Sequence, residues 1–170
     1  MTKRIIFACS VLSMFITGCK KDDATGTVDS TYFMVKIDGV EKNFASAEAR
    51  WVDGGNYLEI TGSNGGTEWM KLTVMSEDTR VPGGQYTLDD LSGFDILAIY
   101  SLTKDNQQLN VTATRNTLAP EDALNLDIAK INNSAVEGSF SGALVRVEGS
   151  KTLQTVKVTN GKFKTSIKAN

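Results

Sequence analysis

The sequence contains no histidine, and only two of its 170 residues are cysteines. Without an imidazole base, Ser-His-Asp and Cys-His catalysis are excluded within this chain. Both cysteines, Cys9 and Cys19, come early, so the rest of the chain forms no disulfide and offers no Cys/His zinc site. An enzyme built from these residues would depend on carboxylates, lysine, tyrosine or an oxygen-ligated metal.

The amino-terminal residues are typical of an export signal. Lys3 and Arg4 form a basic segment, and the apolar run 5–16 is too short to span a bilayer. Ile16-Thr17-Gly18 before Cys19 resembles a lipobox, in which the cysteine sulfur receives a diacylglyceryl group and the chain is cut before it. We therefore predict a lipoprotein held to a membrane by acylated Cys19, with an ordinary secretory signal as the alternative.

A short charged run follows the predicted lipidation site. It consists of Lys20, Lys21, Asp22 and Asp23. This run resembles the export signal that follows the lipidated cysteine of surface lipoproteins in Bacteroidetes. It predicts display on the outer face of the outer membrane. A periplasm-facing position, with the run acting as a solvated linker, is the alternative.

The chain is predicted to divide into a signal peptide (1–18), a lipidated cysteine with a flexible tether (19–30) and one folded domain (31–170). In the tether, Asp29-Ser30-Thr31 resembles an O-glycosylation sequon of the same phylum, which makes Ser30 a candidate modification site. The net charge of −2 and the scattered lysines argue against nucleic acid as a partner. No motif indicates a cofactor.

Short alternating segments separated by turn residues predict an all-β domain. Phe33, Val35 and Ile37 alternate before Asp38-Gly39, a strong signal for a type I′ hairpin turn. Gly138 and Gly142 mark possible bulges within a long strand. Asn160-Gly161 predicts a closing hairpin between segments 156–159 and 162–167.

About ten such segments occur, and none carries a sustained helical stripe of apolar residues. Strands joined by short turns are mostly antiparallel, and a sheet of this size must bury one face. The sequence therefore predicts an antiparallel β-sandwich or a flattened barrel of about ten strands, and it leaves the two open.

The order of these strand and turn segments over residues 31–167 resembles a known group. It is similar to small Bacteroidetes lipoproteins of unknown function, in particular the DUF6252-like group. The resemblance implies an all-β surface or periplasmic lipoprotein and carries over no catalytic residue. The segments that carry it are Ile37-Asp38-Gly39 with Phe44, Leu58-Glu59-Ile60-Thr61-Gly62, Gly84-Gln85-Tyr86, Ala98-Ile99-Tyr100, Leu126-Asp127-Ile128, Val136-Glu137-Gly138-Ser139-Phe140-Ser141 and Val158-Thr159-Asn160-Gly161-Lys162-Phe163.

Three aromatic residues are candidates for a ligand platform. Trp51 and Tyr57 flank one predicted turn, and Trp69 begins a strand after the next turn. Aromatic rings that meet across strands offer a flat surface for stacking sugar rings. Core packing is the alternative explanation of the same residues.

Carboxylates provide the remaining chemical candidates. Glu59 and Glu68 flank a predicted hairpin turn and would form the acid pair that a glycosidase needs if they met across the strands. Asp89, Asp90 and Asp95 lie in one loop and are a weak candidate for oxygen ligation of Ca²⁺, although their spacing matches no calcium loop.

Three function classes remain open. We predict a membrane-anchored, noncatalytic binding module that holds a glycan or a protein partner at the cell surface. A structural or accessory subunit of an envelope assembly is the alternative. A carboxylate-based hydrolase is less favoured because the chain lacks histidine.

Overall fold

A computed structural model describes residues 29–114 and 118–168. The predicted signal peptide, Cys19 and the charged run 20–23 lie outside these residues. The described part is all-β, with eleven strands and two short 3₁₀ turns, at Asp53–Gly55 and Pro120–Asp122. The strands are β1 (Tyr32–Ile37), β2 (Val40–Asn43), β3 (Ser46–Val52), β4 (Tyr57–Ser63), β5 (Glu68–Ser76), β6 (Gly84–Thr87), β7 (Phe94–Lys104), β8 (Gln107–Thr112), β9 (Asn125–Ile131), β10 (Ala135–Glu148) and β11 (Lys151–Lys168).

All eleven strands belong to one sheet, in the order β2-β1-β11-β3-β4-β5-β7-β8-β10-β9-β6. A further pairing between β11 and β10 bends the sheet into a partly closed ring. Every pairing is antiparallel except that of β11 with β3, where Ile167 and Lys168 lie beside Ala49 and Arg50. The predicted all-β, antiparallel class is confirmed, and the strands form one curved sheet instead of two separate layers.

The ring is weakest between β8 and β10, where Val145 and Thr112 form the single recorded pair among the described residues. It is strongest between β10 and β11, which pair over nearly their full length. Within 29–114 and 118–168, no helix is long and apolar enough to cross a membrane.

The predicted closing hairpin at Asn160-Gly161 does not form. β11 continues through these residues as one strand of 18 residues. Asn160 adopts a positive φ of 54°, and β11 carries one extra residue there relative to both neighbours. The left-handed conformation thus makes a bulge, because β1 and β10 hold the chain in line on both sides.

The predicted turn at Asp38-Gly39 is confirmed, and the two bulges predicted in the long strand lie in its partner strands instead. Asp38 and Gly39 have φ values of 49° and 80°, as a type I′ turn requires. The register of β10 shifts at Gly138 and at Gly142, but the extra residue lies in β9 at the first position and in β11 at the second. A Cβ on Gly138 would lie 2.2 Å from the Asp127 carbonyl oxygen, so only glycine fits between these strands.

The core occupies the inside of the ring. It is filled by the inward-pointing side chains of the strands, in which inward and outward positions alternate. Four phenylalanines form its centre. Phe33 makes an edge contact with Phe44 at 5.3 Å between ring centroids and lies 5.4 Å from Phe140 and 6.3 Å from Phe163. The side chains of alternate positions point outward and form what we call the outer face of the sheet.

Candidate functional site

The outer face of β3, β4 and β5 contains a shallow depression of about 320 Å³. It combines one large aromatic side chain with charged groups from four strands. Successive side chains of each strand point inward and outward in turn, so the outward residues of neighbouring strands form rows across the sheet. The lining residues are Glu48, Ala49, Arg50, Glu59, Thr61, Trp69, Lys71 and Lys168.

Trp69 is the aromatic residue of this depression. It points outward from β5 and is half-buried, while Glu68 and Met70 on either side point into the core. Its neighbours on the adjoining strands are Ser63 and Ser101, whose side chains are too small to cover an indole ring. Part of the ring therefore reaches solvent from a position within a strand.

A carboxylate fixes two cations beside Trp69. Glu59 Oε2 accepts a hydrogen bond from Arg50 Nε at 2.6 Å and lies 3.4 Å from Lys71 Nζ. Burial opposes ionisation of Glu59, but the bonds and charges of Arg50 and Lys71 outweigh it, so its pKa lies below the ordinary value. Glu59 is therefore a carboxylate that holds both cations in place.

Lys168 closes the depression from the end of β11. Its Nζ forms an ion pair with Glu48, and its backbone lies beside Arg50 in the parallel pairing of β11 with β3. Both partners of this pair are more than half exposed. The contact therefore contributes little to stability and leaves its charges accessible from solvent.

The predicted three-ring platform is not formed, because its members lie on different faces. Trp51 points into the core and is 8 % exposed, with the guanidinium of Arg80 stacked 4.1 Å from its ring centroid. Tyr57 and Trp69 both point outward, but Tyr57 pairs with Met75, six residues along β5 from Trp69. That offset is about 20 Å, so neither of the other two predicted rings lies beside Trp69.

The predicted acid pair is not formed either. Glu59 is opposite Thr73, and Glu68 is an odd number of residues from Thr73 along β5. Side chains alternate between faces, so Glu59 points outward and Glu68 inward. The two carboxylates therefore cannot flank one substrate.

Glu68 instead takes part in a buried polar network. It is 9 % exposed and accepts hydrogen bonds from Tyr100 Oη at 2.7 Å and Asn64 Nδ2 at 3.0 Å, and Lys42 Nζ lies 2.8 Å away. Burial alone would raise the pKa of Glu68, but these partners outweigh it and lower the pKa. Burial and the Glu68 bond raise the pKa of Tyr100. The network ties β2 to β5 and β7.

The loop acids do not form a metal centre. Asp90 accepts hydrogen bonds from the backbone N–H groups of Thr87 and Ser92, which makes it a turn residue. Asp90 and Asp95 line another depression, of about 470 Å³, together with Tyr57, but Asp89 does not. Among the described residues, no group of three or more acidic side chains is placed to hold a metal ion.

A third depression, of about 450 Å³, lies on the outer face of β6, β9, β10 and β11. Its polar side chains include Gln85, Asp127 and Lys162, and its two aromatic residues, Tyr86 and Phe140, are buried core side chains. It therefore lacks the outward-pointing aromatic side chain that the Trp69 depression has.

The sequence singled out Trp69 and Glu59 as candidates and did not indicate the cations around them. Arg50, Lys71 and Lys168 lie on three different strands, and they come together only through the sheet order. A local signal existed for Lys71, because it follows Trp69 by two residues and so shares its face. Ser30, the predicted glycosylation site, is exposed just before β1.

Comparison of the chain with protein-family models, with curated proteins and with solved structures gave no match. The function is therefore argued from the geometry of the Trp69 depression.

Proposed function

We propose that this chain is a noncatalytic glycan-binding module of a membrane-anchored surface lipoprotein. The observation that carries the proposal is the outward Trp69 ring beside the fixed charges of Arg50, Glu59 and Lys71. An indole face packs against the C–H face of a sugar ring, while charged side chains bond its hydroxyl groups.

The rigidity of the site favours ligand binding, because the surface that meets the ligand is already formed in the free protein. Trp69, Glu59 and Arg50 all lie within strands, so their backbones lose little freedom when a ligand binds. A shallow, open depression suits one or a few sugar units of a longer chain. A small apolar ligand would instead need an enclosed pocket.

The absence of histidine and the separation of Glu59 from Glu68 favour binding over hydrolysis. For location, the lipobox-like segment before Cys19 and the charged run 20–23 support a lipid anchor and surface display. The resemblance of strand and turn order to DUF6252-like lipoproteins supports only the lipoprotein part of the proposal, because that group carries no assigned activity.

A glycan screen with the purified protein tests the proposal. We expect Trp69→Ala to weaken the binding of any retained glycan by at least tenfold, because the stacking surface is lost. Tyr57→Ala is the matched control: it removes an outward aromatic side chain from the same sheet, about 20 Å from Trp69, and should leave affinity unchanged.

Two outcomes would contradict the proposal. One is that no glycan of the screen binds at millimolar concentration. The other is that glycans bind and Trp69→Ala binds them as tightly as the wild type. Circular dichroism of each variant establishes that the sheet is intact, which is expected because both residues lie on the outer face.

A further inference from the structure

The Trp69 depression presents more positive than negative charge to solvent. Three cations line it, Arg50, Lys71 and Lys168, against two carboxylates, Glu48 and Glu59. This excess is local, since the whole chain carries a net charge of −2. The depression is thus positive on a chain that is negative overall.

The charge that is accessible from solvent keeps this positive excess. The Glu59 side chain is only 19 % exposed and lies beneath Arg50 and Lys71, whereas the Arg50 side chain is 57 % exposed and that of Lys168 is 66 % exposed. A molecule that arrives from solvent therefore meets two well-exposed cations, with Glu48 as the single well-exposed carboxylate of the depression.

We infer that the ligand of this depression is an acidic sugar, one that carries a carboxylate or a sulfate ester. This inference rests on the proposed glycan-binding function. The Trp69 ring stacks on one sugar unit, and the anionic group of the ligand lies between Arg50 and Lys168. A guanidinium bonds an oxyanion through parallel N–H groups, which gives direction as well as charge.

The spacing of these groups sets the size of the ligand. Lys71 lies two residues from Trp69 on the same face, about 7 Å along β5. Arg50 and Lys168 lie in the row that crosses β5 at Thr73, about 13 Å from Trp69 along the strand direction, and their strands are two and three positions away from β5 in the sheet. A ligand that covers both the ring and the outer cations is therefore longer than one sugar ring.

The test compares pairs of ligands that have the same sugar backbone, one member charged and the other neutral. Binding of the purified protein is measured by calorimetry to oligogalacturonate and to its methyl ester, and to dextran sulfate and dextran. We expect the charged member of at least one pair to bind at least tenfold more tightly than its neutral counterpart. Raising the salt from 50 to 500 mM should reduce that difference.

Charge variants locate the binding. Lys168→Gln should weaken the charged ligand several-fold and leave a neutral ligand unaffected. Arg50→Gln should weaken the charged ligand more than a neutral one, because Arg50 also bonds sugar hydroxyl groups in the proposed site. Lys130→Gln is the matched control, because it removes the same charge from an exposed ion pair with Glu137 on β9 and β10. It should not change affinity for either ligand.

The outcomes distinguish failure of the acidic preference from failure of the glycan-binding function. If neutral glycans bind as tightly as charged ones in a manner that needs Trp69, the glycan-binding function stands and the acidic preference is wrong. If charged ligands bind but Trp69→Ala and Arg50→Gln do not weaken them, the attraction is nonspecific and the acidic-site inference is overturned. If nothing binds, both proposals fail.

Discussion

Trp51 and Trp69, the two tryptophans of the chain, lie on opposite faces of the same sheet. Trp51 points from β3 into the core beneath Arg80, and Trp69 points from β5 to solvent. The two rings therefore report on different environments. Trp51 packs in the core, and Trp69 is the one of the two that reaches solvent.

Acrylamide quenching of tryptophan fluorescence checks this assignment. In Trp51→Phe the remaining emitter is Trp69, so we expect red-shifted emission and strong quenching. In Trp69→Phe the remaining emitter is Trp51, and we expect blue-shifted emission with a several-fold smaller quenching constant. Equal quenching of the two variants would show that the faces have been assigned incorrectly.

Glu68 should matter for stability much more than an exposed glutamate. Glu68→Gln leaves the Lys42 ammonium without its partner at the edge of the core, and we expect a loss of about 2 kcal/mol in the free energy of unfolding. Glu137→Gln, which removes an exposed pair with Lys130, should cost less than about 0.5 kcal/mol. Urea unfolding at pH 7 measures both.

The contribution of Glu68 should also depend on pH in a defined direction. Its pKa in the folded protein is lower than its ordinary value of 4.5, so the folded state favours the ionised form. The stabilisation is complete above pH 4.5 and disappears as the pH falls through the folded pKa. The difference in unfolding free energy between wild type and Glu68→Gln should therefore be constant from pH 6 to 8 and shrink below about pH 4.5. A difference that grows on acidification would contradict this network.

Gly138 should tolerate no side chain. A Cβ there would approach the Asp127 carbonyl oxygen to 2.2 Å and the Phe163 ring to 2.6 Å, and neither a backbone carbonyl nor a core ring can easily move. We expect Gly138→Ala to lower the free energy of unfolding by about 3 kcal/mol. Ser139→Ala, the next residue on the outer face, is the control and should change stability little.

The lipid anchor is tested by Cys19→Ala in cells that process lipoproteins. The wild-type chain should fractionate with membranes, and the variant should be found in the soluble fraction, because no acyl chains hold it. Protease treatment of intact cells, with a periplasmic control protein, then separates surface display from a periplasm-facing position. Retention of Cys19→Ala in the membrane fraction would count against the anchor.

Much of the fold could be predicted because its signals are local. The alternation of Phe33, Val35 and Ile37 fixed both the strand and its inward face, and Asp38-Gly39 fixed the turn that follows. Asn160-Gly161 carries the same kind of turn signal and forms a bulge instead. The difference comes from β1 and β10, which pair across this point and are distant in sequence.

The site was harder to predict for the same reason. Trp51 and Tyr57 flank one turn, yet the pairing of Val52 with Tyr57 places Trp51 on the other face. The number of residues in a hairpin turn decides which residues of its two strands point to the same face. This turn contains a short 3₁₀ segment that sequence patterns do not reveal. The approach of Lys168 to Arg50 depends on the parallel pairing of β11, which no local pattern indicates.

The long β11 strand has a consequence for how the protein folds. Tyr32, at the start of β1, pairs with Lys164, and every route around the ring passes through β11. Contacts between residues so far apart in sequence give a high contact order, which slows folding because a large loop must close first. An emerging chain therefore has no complete core until β11 is available, so the domain is expected to fold late and as a single unit.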